Sequence, residues 1–187
     1  MLIICIFAEI IINKTMKKPL TIPAIFIILL LVSFKSDNWV TYKSEAGHYS
    51  ISFPGTPTES DDKDKTDDGK PFDIHFATYA PTDDEVYMAG WIDMRSFYPE
   101  NKSMKQLLED SRDGACQSMK TKSITTLKTN LEGNPFIEFS FSTDEFTGKD
   151  RIYVINKYQY SIITIFSLKM GISKDADKFI QSFKHLN

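Results

Sequence analysis

The chain has 187 residues, 42% of them hydrophobic and 25% charged, which fits one domain plus a targeting segment and excludes wholesale disorder. Its net charge of -3 is unevenly placed: residues 1–35 hold Lys14, Lys17, Lys18 and Lys35 against Glu9 alone, so the remainder stands at about -6. A mildly acidic body lacks the clustered Lys and Arg that phosphate contacts need, which argues against nucleic-acid binding and against adsorption to anionic lipid.

Met16-Lys17-Lys18 precedes an apolar run from Leu20 to Phe34. A basic start followed by such a run reads as a secretory signal peptide or, if uncleaved, an N-terminal membrane anchor. Met16 is then a plausible true start. Leu2–Ile12 is too short to span a bilayer, which needs about 20 residues. No small-x-small pair marks a cleavage site, and no Cys follows the run to carry a lipid. Residues 1–35 are assigned to this apolar targeting helix and residues 36–187 to a single domain. Of the two cysteines, only Cys116 lies in that domain, so it holds no internal disulfide.

Trp39–Tyr42 and Tyr49–Phe53 read as strands joined by the Ser44–Gly47 turn, a hairpin that Pro54-Gly55-Thr56-Pro57 ends. Asp61–Lys70 reads as a solvated charged loop. Phe72–Ala80 alternates, with Phe72, Ile74 and Phe76 inward and Asp73 and His75 outward. Pro81–Glu85 is an acidic turn. Val86–Tyr98 is apolar on both faces, the mark of a central strand. The period then changes: Met104, Leu107, Leu108, Ala115 and Met119 share one helical face, and Ser103 with Gln106 forms a capping box. A helix is expected over Ser103–Lys120, with Gly114 as a point where it could break.

Strands follow at about Ile124–Leu131, Phe136–Thr143, Arg151–Asn156 and Tyr160–Leu168, the last apolar on both faces, with turns marked by Gly133-Asn134-Pro135, Phe146-Thr147-Gly148 and Asn156-Lys157. The chain closes with a helix over Ser173–Leu186, capped by Ser173 and striped by Ala176, Phe179, Ile180 and Phe183. The expected order is β-β-β-β-α-β-β-β-β-α. Short turns imply antiparallel pairing, so the fold class is α+β: an antiparallel β-sheet flanked by two main helices.

The aromatic first strand, Tyr49-Ser50-Ile51-Ser52-Phe53-Pro54-Gly55-Thr56-Pro57, the mid-chain helix, the hairpins and the closing Ala176–Phe183 helix together resemble a group of small exported bacterial domains of unknown function. These are similar to the PsbP-like fold, an α-β-α sandwich shared by an extrinsic subunit of photosystem II and a Ran-binding import factor. The resemblance covers residues 38–187. It carries over no catalytic residue and implies a domain that acts by binding.

Candidate chemistry is sparse. His48, His75 and His185 are far apart, with no H-x-x-x-H or C-x-x-C beside them, so a zinc site of the usual kind is not expected. His75 and Asp73 share a strand face and could serve as base and orienter; an exposed polar face explains them better. His48 falls in the hairpin turn and His185 at a fraying C-terminus. Cys116 has Arg112 four residues before it, the kind of neighbour that lowers a thiol's pKa, against a half-buried structural role.

Asp64, Thr66 and Asp68, followed by Gly69, match the first, third and fifth ligands and the glycine of a calcium loop. The match fails at the twelfth position, where His75 stands in place of a bidentate Glu. A solvated loop is the competing reading there and at Asp83-Asp84-Glu85. Trp39, Trp91, Phe97 and Tyr98 could line a ligand groove or simply pack. No G-x-S-x-G, P-loop or G-x-G-x-x-G occurs. The expectation is therefore an exported, non-enzymatic domain of the bacterial cell envelope, with no cofactor, that binds a protein partner. The alternatives are a small-ligand or metal-binding module and, third, a hydrolase of unrecognised type using His75 and Asp73.

Overall fold

The structure, a computed structural model, describes residues 39–186 apart from Asp67. The expected targeting segment, residues 1–35, lies outside them. Ten strands and two helices follow one another: β1 (Val40–Ser44), β2 (Tyr49–Phe53), β3 (Thr58–Lys65), β4 (Pro71–Thr82), β5 (Glu85–Asp93), α1 (Met104–Ser118), β6 (Ser123–Asn130), β7 (Phe136–Ser142), β8 (Phe146–Ile155), β9 (Tyr158–Ser167), α2 (Asp175–Gln181) and β10 (Lys184–His185). The fold is α+β with antiparallel sheets, as the patterning implies.

Seven strands form the main sheet in the order β3-β4-β5-β9-β8-β7-β6. It joins two meanders, β3-β4-β5 and β6-β7-β8-β9, with β5 beside β9 and α1 as the connection between them. A second sheet, β1-β2-β10, lies apart from it. The alternation of β5 explains this layering. Val86, Met88 and Ile92 point to one side and pack with Leu107, Leu108, Ala115 and Cys116 of α1. Tyr87, Ala89 and Trp91 point to the other and pack with Tyr49, Ile51 and Phe53 of β2 and with Phe179 and Ile180 of α2. β5 and β9 are apolar on both faces because each face meets a different core.

The layers are thus α1, the seven-stranded sheet, and a third layer built jointly by the small sheet and α2. Four expectations need correction. The charged stretch expected as a loop over Asp61–Lys70 is strand β3 as far as Lys65, paired with β4 from Thr58↔Thr78 to Lys65↔Pro71. The first hairpin belongs to the small sheet, not the main one. The last helix ends at Gln181, and the chain turns back so that His185 pairs with Tyr49; His185 is held in a strand rather than frayed. β8 begins at Phe146, so Thr147 and Gly148 lie in a strand and not in a turn.

Helix α1 runs unbroken through Gly114 and carries the full capping box. Ser103 Oγ accepts from Gln106 N–H at 3.3 Å, and Gln106 Oε1 accepts from Ser103 N–H at 3.1 Å. Ser103→Ala is expected to cost about 1 kcal/mol, read from the urea midpoint; an unchanged midpoint would mean that water caps the helix equally well. At α2 the cap sits differently from expectation. Lys174 holds the cap position without a side-chain bond, while Ser173 Oγ accepts from Asp175 N–H.

The two edges of the main sheet contrast. β3 is protected by Asp61, Asp62, Lys63, Asp64 and Lys65, whose charges discourage strand addition. β6 is exposed along its length, with Ile124 and Leu127 open to solvent and a register shift between Thr126 and Lys128.

Candidate functional site

The sequence places His75 on β4 with its side chain away from α1. Register then decides its neighbours. Asp61 of β3 stands directly opposite His75, and Trp91 of β5 directly opposite on the other side. Cross-strand Cβ atoms in such pairs are about 5 Å apart, whereas residues i and i+2 on one strand are about 7 Å apart. His75 Nδ1 therefore bonds Asp61 Oδ1 at 2.7 Å, and its ring stacks on Trp91 with centroids 4.1 Å apart and planes 19° from parallel. Asp73, the partner expected from the strand face, instead pairs with Lys63 at 3.7 Å. An ionised carboxylate only accepts, so Nδ1 carries the proton in that bond.

The β1–β2 turn lies over this row. Gly47 passes so close to Trp91 that a Cβ there would meet the indole Nε1 at 2.7 Å. Two clefts open on either side of the His75–Trp91 pair. The smaller, about 270 Å³, lies between the first hairpin and β3–β4 and is lined by Tyr42, Glu45, Tyr49, Glu59, Asp61, His75 and Trp91 among others. In it Tyr42 donates its hydroxyl to Glu59 at 2.7 Å. Burial, then the Glu59 carboxylate, pushes the Tyr42 phenol up to about 12. Burial likewise raises Tyr49.

The larger cleft, about 540 Å³, shares Ala46, His75 and Trp91 and adds Pro71, Phe72, Asp73, Asp93, Arg95, Ser96 and Tyr158. Here Asp93 grips the Arg95 guanidinium, with Nε–Oδ1 at 2.9 Å and Nη2–Oδ2 at 2.5 Å. That grip lowers the Asp93 carboxyl below its ordinary range and raises Arg95. The guanidinium also lies 5.2 Å from the centroid of the Tyr158 ring.

The other candidates fall elsewhere. Asp64 lies within β3, opposite Phe72, in paired backbone rather than a loop. Thr66 Oγ1 bonds Asp68 and also takes the Lys70 N–H, while Lys70 Nζ pairs with Asp68 at 3.1 Å. Their bonds hold the Asp68 carboxyl below its ordinary range. Among the described residues no group of three His, Cys, Asp or Glu could hold a metal ion. His48 occupies the hairpin turn at φ 52° and packs edge-on to Tyr158. His185 is lowered, first by burial and then by His48.

Cys116 is buried under α1, and burial pushes its thiol up to about 11. Arg112 turns away from it to Asp113 and Thr126. Of the four aromatic residues considered for a groove, Trp91 alone lines either of these clefts. Trp39 meets Lys178, Tyr98 meets Lys157, and Phe97 packs on Phe72.

One buried polar cluster was not anticipated. Beneath α1, Ser111 Oγ donates to Gln159 Oε1 at 3.1 Å, and Ser161 Oγ reaches both oxygens of Asp150 at 3.0 and 3.1 Å. Asp150 is 1% exposed, and burial raises its carboxyl to about 7 against the pull of Ser161 and two backbone N–H groups.

The site residues that sequence reasoning missed are Tyr42, Glu59, Asp61, Asp93 and Arg95. Those on β3 left no signal, because Glu59, Ser60, Asp61, Asp62 and Lys63 are polar on both faces of the strand.

No protein-family model matches the chain, and no curated protein sequence matches it. Among solved structures it is similar to the solution structure of cyanobacterial PsbP (CyanoP) from Synechocystis sp. PCC 6803, with a TM-score of 0.50 and 9% identity, over 80% of this chain and 93% of that one. At that identity the likeness speaks of fold alone. This protein has a PsbP-like fold.

Proposed function

We propose that the chain is an exported, non-enzymatic accessory domain of the bacterial cell envelope that binds a protein partner. The observation that carries this reading is the pair of clefts meeting at His75 and Trp91. Their ionisable groups are tied to one another: His75 to Asp61, Tyr42 to Glu59, Arg95 to Asp93. Groups fixed in this way present a preorganised surface, and a rigid surface loses little freedom on binding. The basic start and apolar run before residue 36 support export.

A second reading, a small-ligand module, rests on the size of the larger cleft, about 540 Å³, within the range of roughly 300–1,000 Å³ usual for such sites.

The test is a photo-crosslinking residue placed at Glu45, whose side chain is 83% exposed at the cleft rim, in cells that make the full chain. The same residue at Lys105 on α1, 63% exposed, is the control. A discrete protein adduct from position 45 and none from 105 is expected. Equal labelling at both, or none at either, overturns the protein-binding reading.

A further inference from the structure

We infer that the smaller cleft is a socket for one cationic side chain, a lysine or arginine presented by the partner; this rests on the binding reading above. The floor of the cleft is aromatic, from Tyr42, Tyr49 and Trp91. One wall carries Glu59 and Asp61, which sit two apart on β3 and so share a face. Elsewhere on this surface acidic groups are matched by cations: Glu45 by Lys43, Asp68 by Lys70, Asp73 by Lys63. Among the described residues no lysine or arginine pairs with Glu59 or Asp61. Their bonds come from a phenol and from an imidazole, which orient the carboxylates.

Two carboxylates without a lysine or arginine partner, beside the half-buried Tyr42 ring, attract a cation by charge-assisted hydrogen bonds and by the ring quadrupole. The neighbouring cleft already contains this arrangement made from the chain's own residues: the Arg95 guanidinium lies between the Asp93 carboxylate and the Tyr158 ring. The smaller cleft offers the same two kinds of group, and the cation in its lining, Lys43, is paired with Glu45 rather than with Glu59 or Asp61. Its volume of about 270 Å³ accommodates one long side chain.

The probes are Nα-acetyl-lysine methylamide and Nα-acetyl-arginine methylamide, with the neutral isosteres Nα-acetyl-norleucine methylamide and Nα-acetyl-citrulline methylamide. They are titrated into the full chain while the Trp91 indole N–H resonance is followed, assigned with Trp39→Phe. The cationic probes are expected to shift that resonance to saturation, at least about tenfold more tightly than the neutral ones, with the difference shrinking as salt rises. The double variant Glu59→Gln, Asp61→Asn keeps the acceptors for Tyr42 and His75 and removes the charge. It is expected to abolish the preference for the cation.

Equal binding of cationic and neutral probes, or no shift from any of them, overturns the inference. The crosslink from position 45 separates it from the wider reading. An adduct whose yield is unchanged by the double variant leaves a protein-binding domain without a cation socket. A charge-dependent titration with no adduct leaves the socket and removes the protein partner.

Discussion

Asp150→Asn is expected to make the protein more stable at pH 8, by up to about 4 kcal/mol, and to have little effect at pH 4. The cause is the cost of ionising a carboxyl that is 1% exposed beneath α1. Burial holds it at about 7 in the folded chain, while an unfolded Asp titrates near 3.9. Below about pH 4 both states are protonated and the group contributes no difference. Between about pH 4 and 7 the unfolded chain loses its proton first, so the folded state binds more protons and stability falls as pH rises. Above about 7 the whole difference is lost, at about 1.4 kcal/mol for each pH unit separating the two values.

Asn keeps the shape, can bond Ser161, and has nothing to ionise. Urea unfolding of both proteins at pH 4, 5, 6, 7 and 8 measures the effect. The subtraction isolates position 150, because every other residue is the same in both chains. Parallel stability profiles across that range would show that the carboxyl is already solvated in the folded state, and the account of the cluster would fail.

Gly148→Ala is expected to destabilise the fold by about 3 kcal/mol or more, the range of severe core overpacking. Gly148 lies inside β8, opposite Phe141 of β7 on one side and Ile165 of β9 on the other. An added Cβ would meet the Thr164 carbonyl oxygen at 2.1 Å and the Phe141 ring at 2.7 Å. A flexible side chain could swing away. A carbonyl in the β8–β9 ladder cannot move without disturbing the pairing that holds the second meander together. The urea midpoint and the dispersion of methyl resonances report the loss. A variant within about 1 kcal/mol of the parent would mean that β8 can shift in the sheet.

Most of the fold was legible because burial leaves a period in the sequence. Tyr49, Ile51 and Phe53 alternate because one face of β2 is covered; β5 and β9 are apolar on both faces because two cores flank them. The capping box at Ser103 is local and was readable as such. β3 was not legible. Its residues, Thr58–Lys65, are mostly exposed, and it is held by backbone pairing that any side chains permit.

That gap hid the site. With β3 read as a loop, the nearest acid to His75 was Asp73 on the same strand. Once β3 pairs with β4, Asp61 is the cross-strand neighbour and the closer one. Asp150 was obscured in the same way, since Gly148 and its neighbours read as a turn, where an Asp would sit in water. Inside β8 the same residue points under α1.

The return of the chain at β10 has a consequence for the timing of assembly. Ser182 Oγ accepts from Ser52 N–H across a separation of 130 residues, and Phe179 and Phe183 stack into the aromatic cluster of β2. The first hairpin is among the earliest described residues to be made, yet the elements that seal it are among the last. Contacts so distant along the chain close slowly, because the intervening loop must first be ordered. During synthesis Tyr49, Ile51 and Phe53 have no lid, so the growing chain carries an open apolar flank until its final segment arrives, and it depends on quick completion or on a chaperone to stay apart from its neighbours.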